Sequence, residues 1–251
     1  MAKKGKSSWS LGSLIILLIC AIVFCGSGAY LGLYLKDNVQ AQNEFKVLKD
    51  VEGNKLMEAR KLNEDVVGWI TIDDTKIDYP VMWTPEDEEF YLHRNFEKEY
   101  SEAGTPFVDG NCEVYGENGS WNYLIYGHNM KIGTMFHDLV KFEDEEFRNE
   151  HRFFSFELLS EDGTEVEEGT YEIFALARGQ IYDRDSTKFK YYKNIGFGDE
   201  EAFDKYVDGV CSESIYDSGI RPKYGDQLVT LSTCAYHTDE GRFYIVGVKR
   251  N

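Results

Sequence analysis

The sequence predicts a mainly β protein: a closed barrel of eight short strands with a few short helices, preceded by juxtamembrane helices and one N-terminal transmembrane helix. Short runs rich in β-branched and aromatic residues recur from residue 66 onward, and Gly, Asp and Asn bound them. A long uncharged apolar segment lies near the N-terminus. With 251 residues, 42% of them hydrophobic, the chain has room for one anchor and one domain with a real core.

The apolar segment 11–35 carries no charged residue and is long enough to cross a bilayer, which takes about 20 apolar residues. Three lysines within the first six residues predict a cytoplasmic basic N-terminus at 1–10 and place the rest of the chain outside. A cleaved signal peptide is the competing interpretation, because the most apolar core, 14–25, is short and small residues follow it. Apolar residues resume at 30–35, which favours a transmembrane helix.

The polar residues 36–64 have apolar positions at roughly helical spacing, which predicts one or two juxtamembrane helices broken near Gly53. The remaining domain, 65–251, contains eight predicted strands: 67–72, 77–82, 105–108, 123–126, 153–158, 171–178, 227–233 and 243–249. This number of short strands favours a closed barrel over an open sheet. The apolar spacing lengthens to three or four residues at three predicted helical interruptions: 86–92, 134–150 and 199–210.

The formal net charge is −18, and after residue 35 the chain carries 24 basic against 45 acidic residues, or −21. A surface so negative repels phosphate backbones, which excludes nucleic-acid binding by charge attraction. We therefore expect neutral, zwitterionic or cationic partners. The acidic runs 143–146 and 161–168 lack the ligand spacing of an EF-hand loop, so we interpret them as a solvated helix end and a hairpin turn.

Cysteine usage separates the anchor from the rest of the chain. Cys20 and Cys25 lie in the apolar segment, which leaves Cys112, Cys211 and Cys234 in the exported part. Since three is odd, at least one thiol lacks an intramolecular partner and is either reactive or intermolecular. The alternative is that all three are small buried hydrophobes. No CxxC or Cys/His cluster has metal-site spacing, so structural zinc is not indicated.

The stretch 228–242 carries the strongest chemical signal. An apolar strand runs into Cys234, and after a turn-rich segment a second strand begins at Arg242. Such a hairpin brings Arg242 close to Cys234 on the neighbouring strand. A guanidinium beside a thiol favours the thiolate and can hold an oxygen that becomes negative during acyl transfer. The alternative interpretation is a buried inert cysteine and a surface arginine.

A histidine at a strand end is the second chemical signal. A predicted strand ends at Tyr126, and Gly127 turns the chain to expose His128. From there His128 can reach another strand end at the same rim of a barrel, and an unperturbed pKa of about 6.5 suits proton transfer to a leaving amine. A structural, hydrogen-bonded role is the alternative. His237, three residues after Cys234, is the nearest rival, although a loop position gives it no fixed orientation.

These features together resemble sortases, and most closely their class B. The resemblance rests on Thr-Leu-Ser-Thr-Cys at 230–234, Gly-Arg-Phe at 241–243 and Tyr-Gly-His-Asn at 126–129. Gly-Trp-Ile-x-Ile at 68–72 and Tyr-Pro-Val at 79–81 extend it. The similarity covers about residues 65 to 251, which the resemblance therefore identifies as the catalytic domain.

The resemblance implies a sortase-type eight-stranded β-barrel and a two-step transpeptidation that needs no metal or other cofactor. It implies that Cys234 attacks the Thr carbonyl of a sorting motif such as LPxTG or NPxTG and cleaves between Thr and Gly. His128 would protonate the departing amine, and Arg242 would hold the oxyanion. An amine from a peptidoglycan precursor or a pilin lysine would then resolve the thioester.

The same resemblance implies the substrate side of the site. Ser232, Thr233 and Asn129 are expected to contact the substrate, and the loops 83–95 and 178–195 are expected to set its specificity. The implied partners are surface proteins that bear a sorting motif. The implied location is the cell membrane of a Gram-positive type of cell, with a single span and an extracellular catalytic domain.

One position departs from the family pattern, and two other functions stay open. Ala235 stands where some class B sortases carry an acidic residue, so no Cys-His-Asp triad can use that position. An L,D-transpeptidase would place Gly directly before the cysteine and Arg two residues after it, whereas Thr233 precedes Cys234 and Arg242 lies eight residues on. A non-enzymatic β-barrel that binds a wall polymer would leave the combination of Cys, His and Arg unexplained.

Overall fold

The structure is a computed structural model that describes residues 11–43, 45, 48, 51, 53–115, 119–193, 198–235 and 237–251. The chain divides into two compact units, Met1–Gln40 and Ala41–Asn251. The basic segment 1–10, predicted to be cytoplasmic, lies outside the described residues.

The first unit is built on one long helix, α1 (Leu11–Asn43). Its part Leu11–Lys36 has a mean hydropathy of 2.5 and no buried residue. At 1.5 Å per residue these 26 residues extend about 39 Å, enough to cross a hydrocarbon core of roughly 30 Å. By length and composition α1 is therefore a candidate membrane span. The helix continues past the predicted end at residue 35, since neither Gly nor Pro occurs between residues 36 and 52 to stop it.

The second unit contains a short capped helix, α2 (Lys55–Leu62), ahead of its first strand. The Asn54 side-chain oxygen accepts hydrogen bonds from the first backbone N–H groups of the helix at 2.9 and 3.1 Å, which satisfies donors that a helix start leaves open. Leu56 and Ala59 are buried and attach the helix to the domain. The predicted break near Gly53 is confirmed, because Gly53 has a φ of +112°, which favours glycine.

The described residues form nine strands: β1 (Val66–Thr71), β2 (Asp78–Met82), β3 (Phe107–Val108), β4 (Asn122–Tyr126), β5 (Phe153–Leu159), β6 (Val166–Glu167), β7 (Thr170–Gln180), β8 (Leu228–Cys234) and β9 (Gly241–Lys249). Eight of them close a ring in the order β1-β2-β3-β4-β8-β9-β7-β5, with β5 pairing back to β1. The predicted closed barrel is confirmed. The ninth strand, β6, pairs with β5 outside the ring and is too short to produce an alternating sequence pattern.

Three helical interruptions lie where the sequence predicts them. A 3₁₀ helix spans Phe90–His93, a second one, Phe136–Glu143, leads into α3 (Glu145–Glu150), and α4 spans Glu200–Glu213. A further 3₁₀ turn at Tyr191–Lys193 was not predicted. Buried residues of α4 recur every three or four positions, as a helix packed on a sheet requires: Phe203, Tyr206, Val207 and Val210.

The acidic runs occupy a helix start and a turn, as interpreted from the sequence. Asp144 caps α3 by accepting a hydrogen bond from the Phe147 N–H at 2.9 Å. Glu143 forms a salt bridge with Arg178 at 2.5 Å. In the second run the Asp162 carboxylate accepts a hydrogen bond from the Thr164 hydroxyl at 2.7 Å, within the turn that joins β5 to β6.

The barrel core makes the strand ends rigid. Large side chains with almost no solvent exposure fill it, among them Trp69, Phe136, Phe156, Phe174 and Phe243. The strands β8 and β9 are buried along nearly their whole length. Because β4 and β8 pair in parallel, both end at the same rim of the barrel.

Candidate active site

The parallel pair β4–β8 brings two distant parts of the sequence together. Tyr126 is the partner of Ser232 in the ladder, and the Gly127 N–H donates to the Ser232 carbonyl at 3.1 Å. His128 follows directly after Gly127, and Cys234 is the last residue of β8. The thiol and the imidazole therefore belong to adjacent strand ends, as the sequence predicts.

The neighbouring pair β8–β9 places Arg242 directly opposite Cys234. Antiparallel partners have Cα atoms about 4.5–5.5 Å apart and side chains on the same face of the sheet. The Ala235 N–H donates to the Gly241 carbonyl at 3.0 Å, which continues the ladder into the connecting turn. A Cβ at Gly241 would lie 2.2 Å from the Ala235 oxygen, so the turn requires glycine. The predicted hairpin relation of Cys234 and Arg242 is confirmed.

His128 is held from several sides. Its Nε2 lies 2.7 Å from the Leu92 carbonyl oxygen, and its own carbonyl accepts a hydrogen bond from the Phe136 N–H at 2.9 Å. The His93 ring stacks on the imidazole with a centroid distance of 5.5 Å. A Cβ at Gly127 would lie 2.6 Å from the Phe136 ring, so only glycine lets the chain turn here.

The surroundings of His128 favour the neutral imidazole. Burial lowers its pKa, and the charges of His93 and Arg242 act in the same direction. The hydrogen bond to Leu92 and the negative charge of Glu102 oppose this shift without cancelling it. Since a carbonyl oxygen only accepts, Nε2 carries the proton, and Nδ1 is the nitrogen left to exchange a proton with a thiol.

A cavity of about 300 Å³ opens between these elements. His128, Cys234 and Arg242 all line it. The other lining residues come from the barrel rim and from both predicted specificity loops: Glu88, Glu89, Leu92, Thr105, Phe107, Asp109, Gly110, Tyr126, Gly127, Ile181, Ser232 and Thr233. The structure thus gathers the three predicted catalytic residues around one space. Tyr126 and Asp109 share a hydrogen bond of 3.1 Å in its wall.

The three residues predicted to contact the substrate differ from one another. The Ser232 hydroxyl is buried 2.8 Å from the Tyr191 hydroxyl, and the Thr233 hydroxyl donates to the Gly127 carbonyl at 2.7 Å. Both residues line the cavity, whereas Asn129 does not. Instead, the Asn129 amide donates to the Cys234 carbonyl at 2.9 Å. Contact of these residues with substrate stays a prediction.

The remaining thiols and the rival histidine lie elsewhere. Cys112 is buried, and burial raises the pKa of its thiol to about 12. Burial also raises the pKa of Cys211, which is half-buried. Neither residue lines the cavity, and no disulfide joins cysteines of the described residues. His237 is exposed and also lies outside the cavity lining.

Sequence reasoning missed the residues that support the site rather than form it. The Leu92 carbonyl orients His128, the Tyr191 hydroxyl contacts Ser232, and His137 hydrogen-bonds Asn129. A backbone carbonyl has no sequence signal, the Tyr191 contact spans 41 residues, and residues 129–137 show no strand pattern that would pair Asn129 with His137. Only a three-dimensional arrangement reveals them.

Comparison with known proteins decides the family. No protein-family model matches the chain. Sortase B of Listeria monocytogenes is 35% identical over 94% of this chain and 96% of its own length. This chain belongs to the sortase B family. The sortase is therefore a cysteine transpeptidase, and the resemblance found in the sequence is confirmed.

Solved structures agree with this assignment. Sortase B of Clostridium perfringens is 31% identical, with a TM-score of 0.66 over 77% of this chain and 98% of that chain. Sortase B of Bacillus anthracis, in complex with AAEK1, is 28% identical, with a TM-score of 0.69 over 88% and 98%. Sortases are cell-surface enzymes, and α1 is the candidate membrane anchor of this one.

Proposed function

We propose that Cys234 is the nucleophile of this sortase, His128 its acid/base partner and Arg242 its oxyanion clamp. The observation that carries the proposal is their common cavity, in which Arg242 stands opposite Cys234 in the β8–β9 ladder. Arg242 donates one hydrogen bond to the Gly241 carbonyl at 3.0 Å and lies 3.4 Å from a Glu240 carboxylate oxygen. A guanidinium has five N–H donors, so several remain for a substrate oxygen.

In the first step, Nδ1 of His128 takes the thiol proton and the Cys234 sulfur attacks the carbonyl carbon of the substrate. The carbonyl oxygen becomes negative and accepts hydrogen bonds from Arg242. The carbon–nitrogen bond then breaks, and the departing amine takes the proton from His128. An acyl thioester on Cys234 and a free amine result.

In the second step, an acceptor amine attacks the thioester carbon. Its proton passes to His128, the carbon–sulfur bond breaks, and the proton returns to the sulfur of Cys234. The new amide bond replaces the old one, so the reaction needs no external energy source. Because burial lowers the pKa of His128, the surroundings favour the neutral imidazole, which is the form that can accept the thiol proton.

The substrates that fit this chemistry are surface proteins with a sorting motif of the LPxTG or NPxTG kind, cleaved between Thr and Gly. The acceptor is an amine of a peptidoglycan precursor or of a pilin lysine. Ser232 and Thr233 line the cavity and are placed to border the bound peptide. The enzyme would anchor surface proteins to the cell wall or polymerise pilins.

The proposed topology follows from charge and length. Residues 1–10 would lie in the cytoplasm, 11–35 would cross the membrane once, 36–64 would form the juxtamembrane segment, and 65–251 would act outside the cell. The uncharged stretch and the lysines ahead of it support this orientation. A thiol-reactive, membrane-impermeant reagent applied to intact cells tests it, because Cys234 should react only if it faces outward.

The decisive test of the catalytic proposal uses the full chain in detergent with a panel of LPxTG-like and NPxTG-like peptides. Mass analysis should find the acyl group of a cleaved peptide on Cys234. Cys234→Ala should abolish both thioester and product, whereas Cys211→Ala, which removes a half-buried thiol outside the cavity, should leave turnover unchanged. A Cys234→Ala enzyme that joins peptides at the wild-type rate would falsify the proposal.

A further inference from the structure

A chain of two side-chain hydrogen bonds ends on the backbone of Cys234. The Nδ1 of His137 lies 2.7 Å from Oδ1 of Asn129, and Nδ2 of Asn129 donates to the Cys234 carbonyl at 2.9 Å. An amide oxygen only accepts, so His137 is the donor in the first bond. That bond also determines which way the Asn129 amide is turned, and it leaves the NH₂ group for Cys234.

The peptide group that follows Cys234 is consequently held from two opposite sides. Its carbonyl accepts from Asn129, and its N–H, which belongs to Ala235, donates to the Gly241 carbonyl at 3.0 Å. One partner comes from the segment after β4 and the other from the start of β9. A peptide group is planar, so two such bonds define its orientation, and with it the direction in which the Cys234 side chain leaves the backbone.

Asn129 also belongs to the same short segment as His128. It forms an isolated antiparallel bridge with Met135, while the His128 carbonyl accepts from the Phe136 N–H at 2.9 Å. The segment that carries the imidazole is therefore joined to the strand that carries the thiol by a side chain that does not line the cavity. This position separates Asn129 from the residues that border a substrate.

We propose that Asn129 and His137 are positioning residues that hold the Cys234 backbone in register with His128. The proposal rests on the proposed function only in taking Cys234 as the nucleophile. His137 acts through Asn129, because its donor determines the orientation of the amide. Small displacements of reacting groups are costly, about 100-fold in rate for roughly 1 Å. The pair thus contributes to turnover without touching the substrate.

The donor role of His137 predicts which replacements work. An asparagine at this position can place its amide nitrogen near the location of Nδ1 and still donate to Asn129, whereas leucine fills similar space without a donor. His137→Asn should therefore keep most of the activity that His137→Leu loses. A role of His137 as a proton carrier would instead be lost in both variants, since an amide does not titrate.

The test compares steady-state kinetics of the full chain in detergent for Asn129→Ala, His137→Leu, His137→Asn and the double variant Asn129→Ala/His137→Leu. We expect Asn129→Ala to lower kcat about 10- to 100-fold with KM changed by less than about twofold. His137→Leu should lower kcat by a smaller factor. In the double variant the histidine change should add nothing, since its partner is already gone.

Several results would overturn the proposal. These are a wild-type kcat for Asn129→Ala, an equal loss in His137→Asn and His137→Leu, or an undiminished effect of His137→Leu in the Asn129→Ala background. Should Asn129→Ala fail to fold, the comparison of His137→Asn with His137→Leu decides alone, with melting temperatures as the folding control.

A second readout separates this proposal from the catalytic one. The rate at which a methanethiosulfonate reagent modifies Cys234, followed by peptide mass mapping, reports the placement of the thiol beside His128 without any turnover. It should fall several-fold in Asn129→Ala and recover in His137→Asn relative to His137→Leu. If Cys234→Ala retains transpeptidation, the catalytic proposal fails while this labelling pattern still tests the positioning role.

Discussion

The two walls of the active-site cavity are built in different ways. The wall with Cys234 and Arg242 is a regular hairpin, in which six consecutive residue pairs of β8 and β9 lead up to the pair of Cys234 and Arg242. The wall with His128 lies beyond the last pair of the β4–β8 ladder, which ends at Tyr126. It depends on single contacts from separate segments, namely the Leu92 carbonyl, the Phe136 N–H and the side chain of Asn129.

The two walls fix the positions of their catalytic groups by different kinds of interaction. Thiol and guanidinium are placed by main-chain hydrogen bonds, which any sequence that maintains the hairpin will form. The imidazole is placed by single contacts, two of them from backbone groups, and the Asn129 side chain and the glycine at position 127 can each be removed by one substitution. We call the wall with Cys234 and Arg242 the hairpin wall and the wall with His128 the histidine wall. Substitutions in the hairpin wall that keep Cys234 and Arg242 should leave activity intact. Substitutions in the histidine wall should lower activity even where they remove no catalytic group.

The largest expected effect comes from the chemistry of the hairpin wall. Arg242→Gln keeps the hairpin but removes the charge opposite Cys234. We expect kcat/KM to fall about 100- to 1,000-fold, as it does when a donor to a developing oxyanion is lost. Arg242→Lys should lose less, because it keeps the charge while losing the planar fork of donors. Peptide turnover with a fluorogenic sorting-motif substrate measures all three enzymes.

The matched control is Arg178→Gln on the adjacent strand β7. Arg178 pairs with Phe243 in the ladder and forms its salt bridge with Glu143 away from the cavity. Position 178 opens the predicted specificity loop 178–195, but Arg178 lies within β7 and does not line the cavity, so its loss should leave turnover unchanged. Equal activity losses at positions 242 and 178 would assign the effect to the strands rather than to the oxyanion and would refute the clamp role.

The contrast between the walls also explains which parts of the fold and of the active site can be predicted from the sequence. All eight barrel strands were predicted within about two residues of their observed ends, because β-branched and aromatic runs bounded by Gly, Asp or Asn mark them in the sequence. The relation of Cys234 to Arg242 was predictable because only eight residues separate them in one hairpin. The two-residue strand β6 and the 3₁₀ turn Tyr191–Lys193 were missed, since neither is long enough to show a period.

The histidine wall was predictable only in part. A strand end at Tyr126 and a glycine predict that His128 is exposed at the barrel rim, whereas it is half-buried, and its partner Leu92 lies 36 residues earlier and contributes a backbone atom. The resemblance implies that Asn129 contacts the substrate, and nothing in the sequence indicates its hydrogen bond to the Cys234 carbonyl. Its bond to Cys234 spans 105 residues, and contacts of that range depend on the closed barrel rather than on any local pattern.

A smaller effect should follow from loosening the connection between the two walls. The Thr233 hydroxyl donates to the Gly127 carbonyl at 2.7 Å, and Thr233→Val replaces it with a methyl group of similar size. A part-buried carbonyl then loses its partner, which costs about 1 kcal/mol. We expect the melting temperature to fall by about 2–4 °C and kcat by roughly fivefold.

Thr233→Ser is the control for that change, because it keeps the donor and removes only the methyl group. Calorimetry measures the melting temperature of each variant, and a turnover assay should give Thr233→Ser a kcat near that of the wild type. If Thr233→Val and Thr233→Ser reduce kcat equally, the hydroxyl does not connect the walls, and the side chain matters through packing or substrate contact alone.

The smallest expected effect concerns the charge around His128. Burial lowers the pKa of His128, and the carboxylate of Glu102 raises it by favouring the imidazolium. Below this pKa the imidazole of the free enzyme is already protonated and cannot accept the thiol proton, so kcat/KM should fall as the pH drops through it. Glu102→Gln removes the opposing charge, lowers the pKa further and moves this acidic limb to lower pH. The control is Glu97→Gln, which removes an exposed carboxylate that is not among the charges acting on His128, so the acidic limb should stay in place. A shift of the acidic limb of Glu102→Gln to higher pH would contradict the assignment of His128 as the proton acceptor.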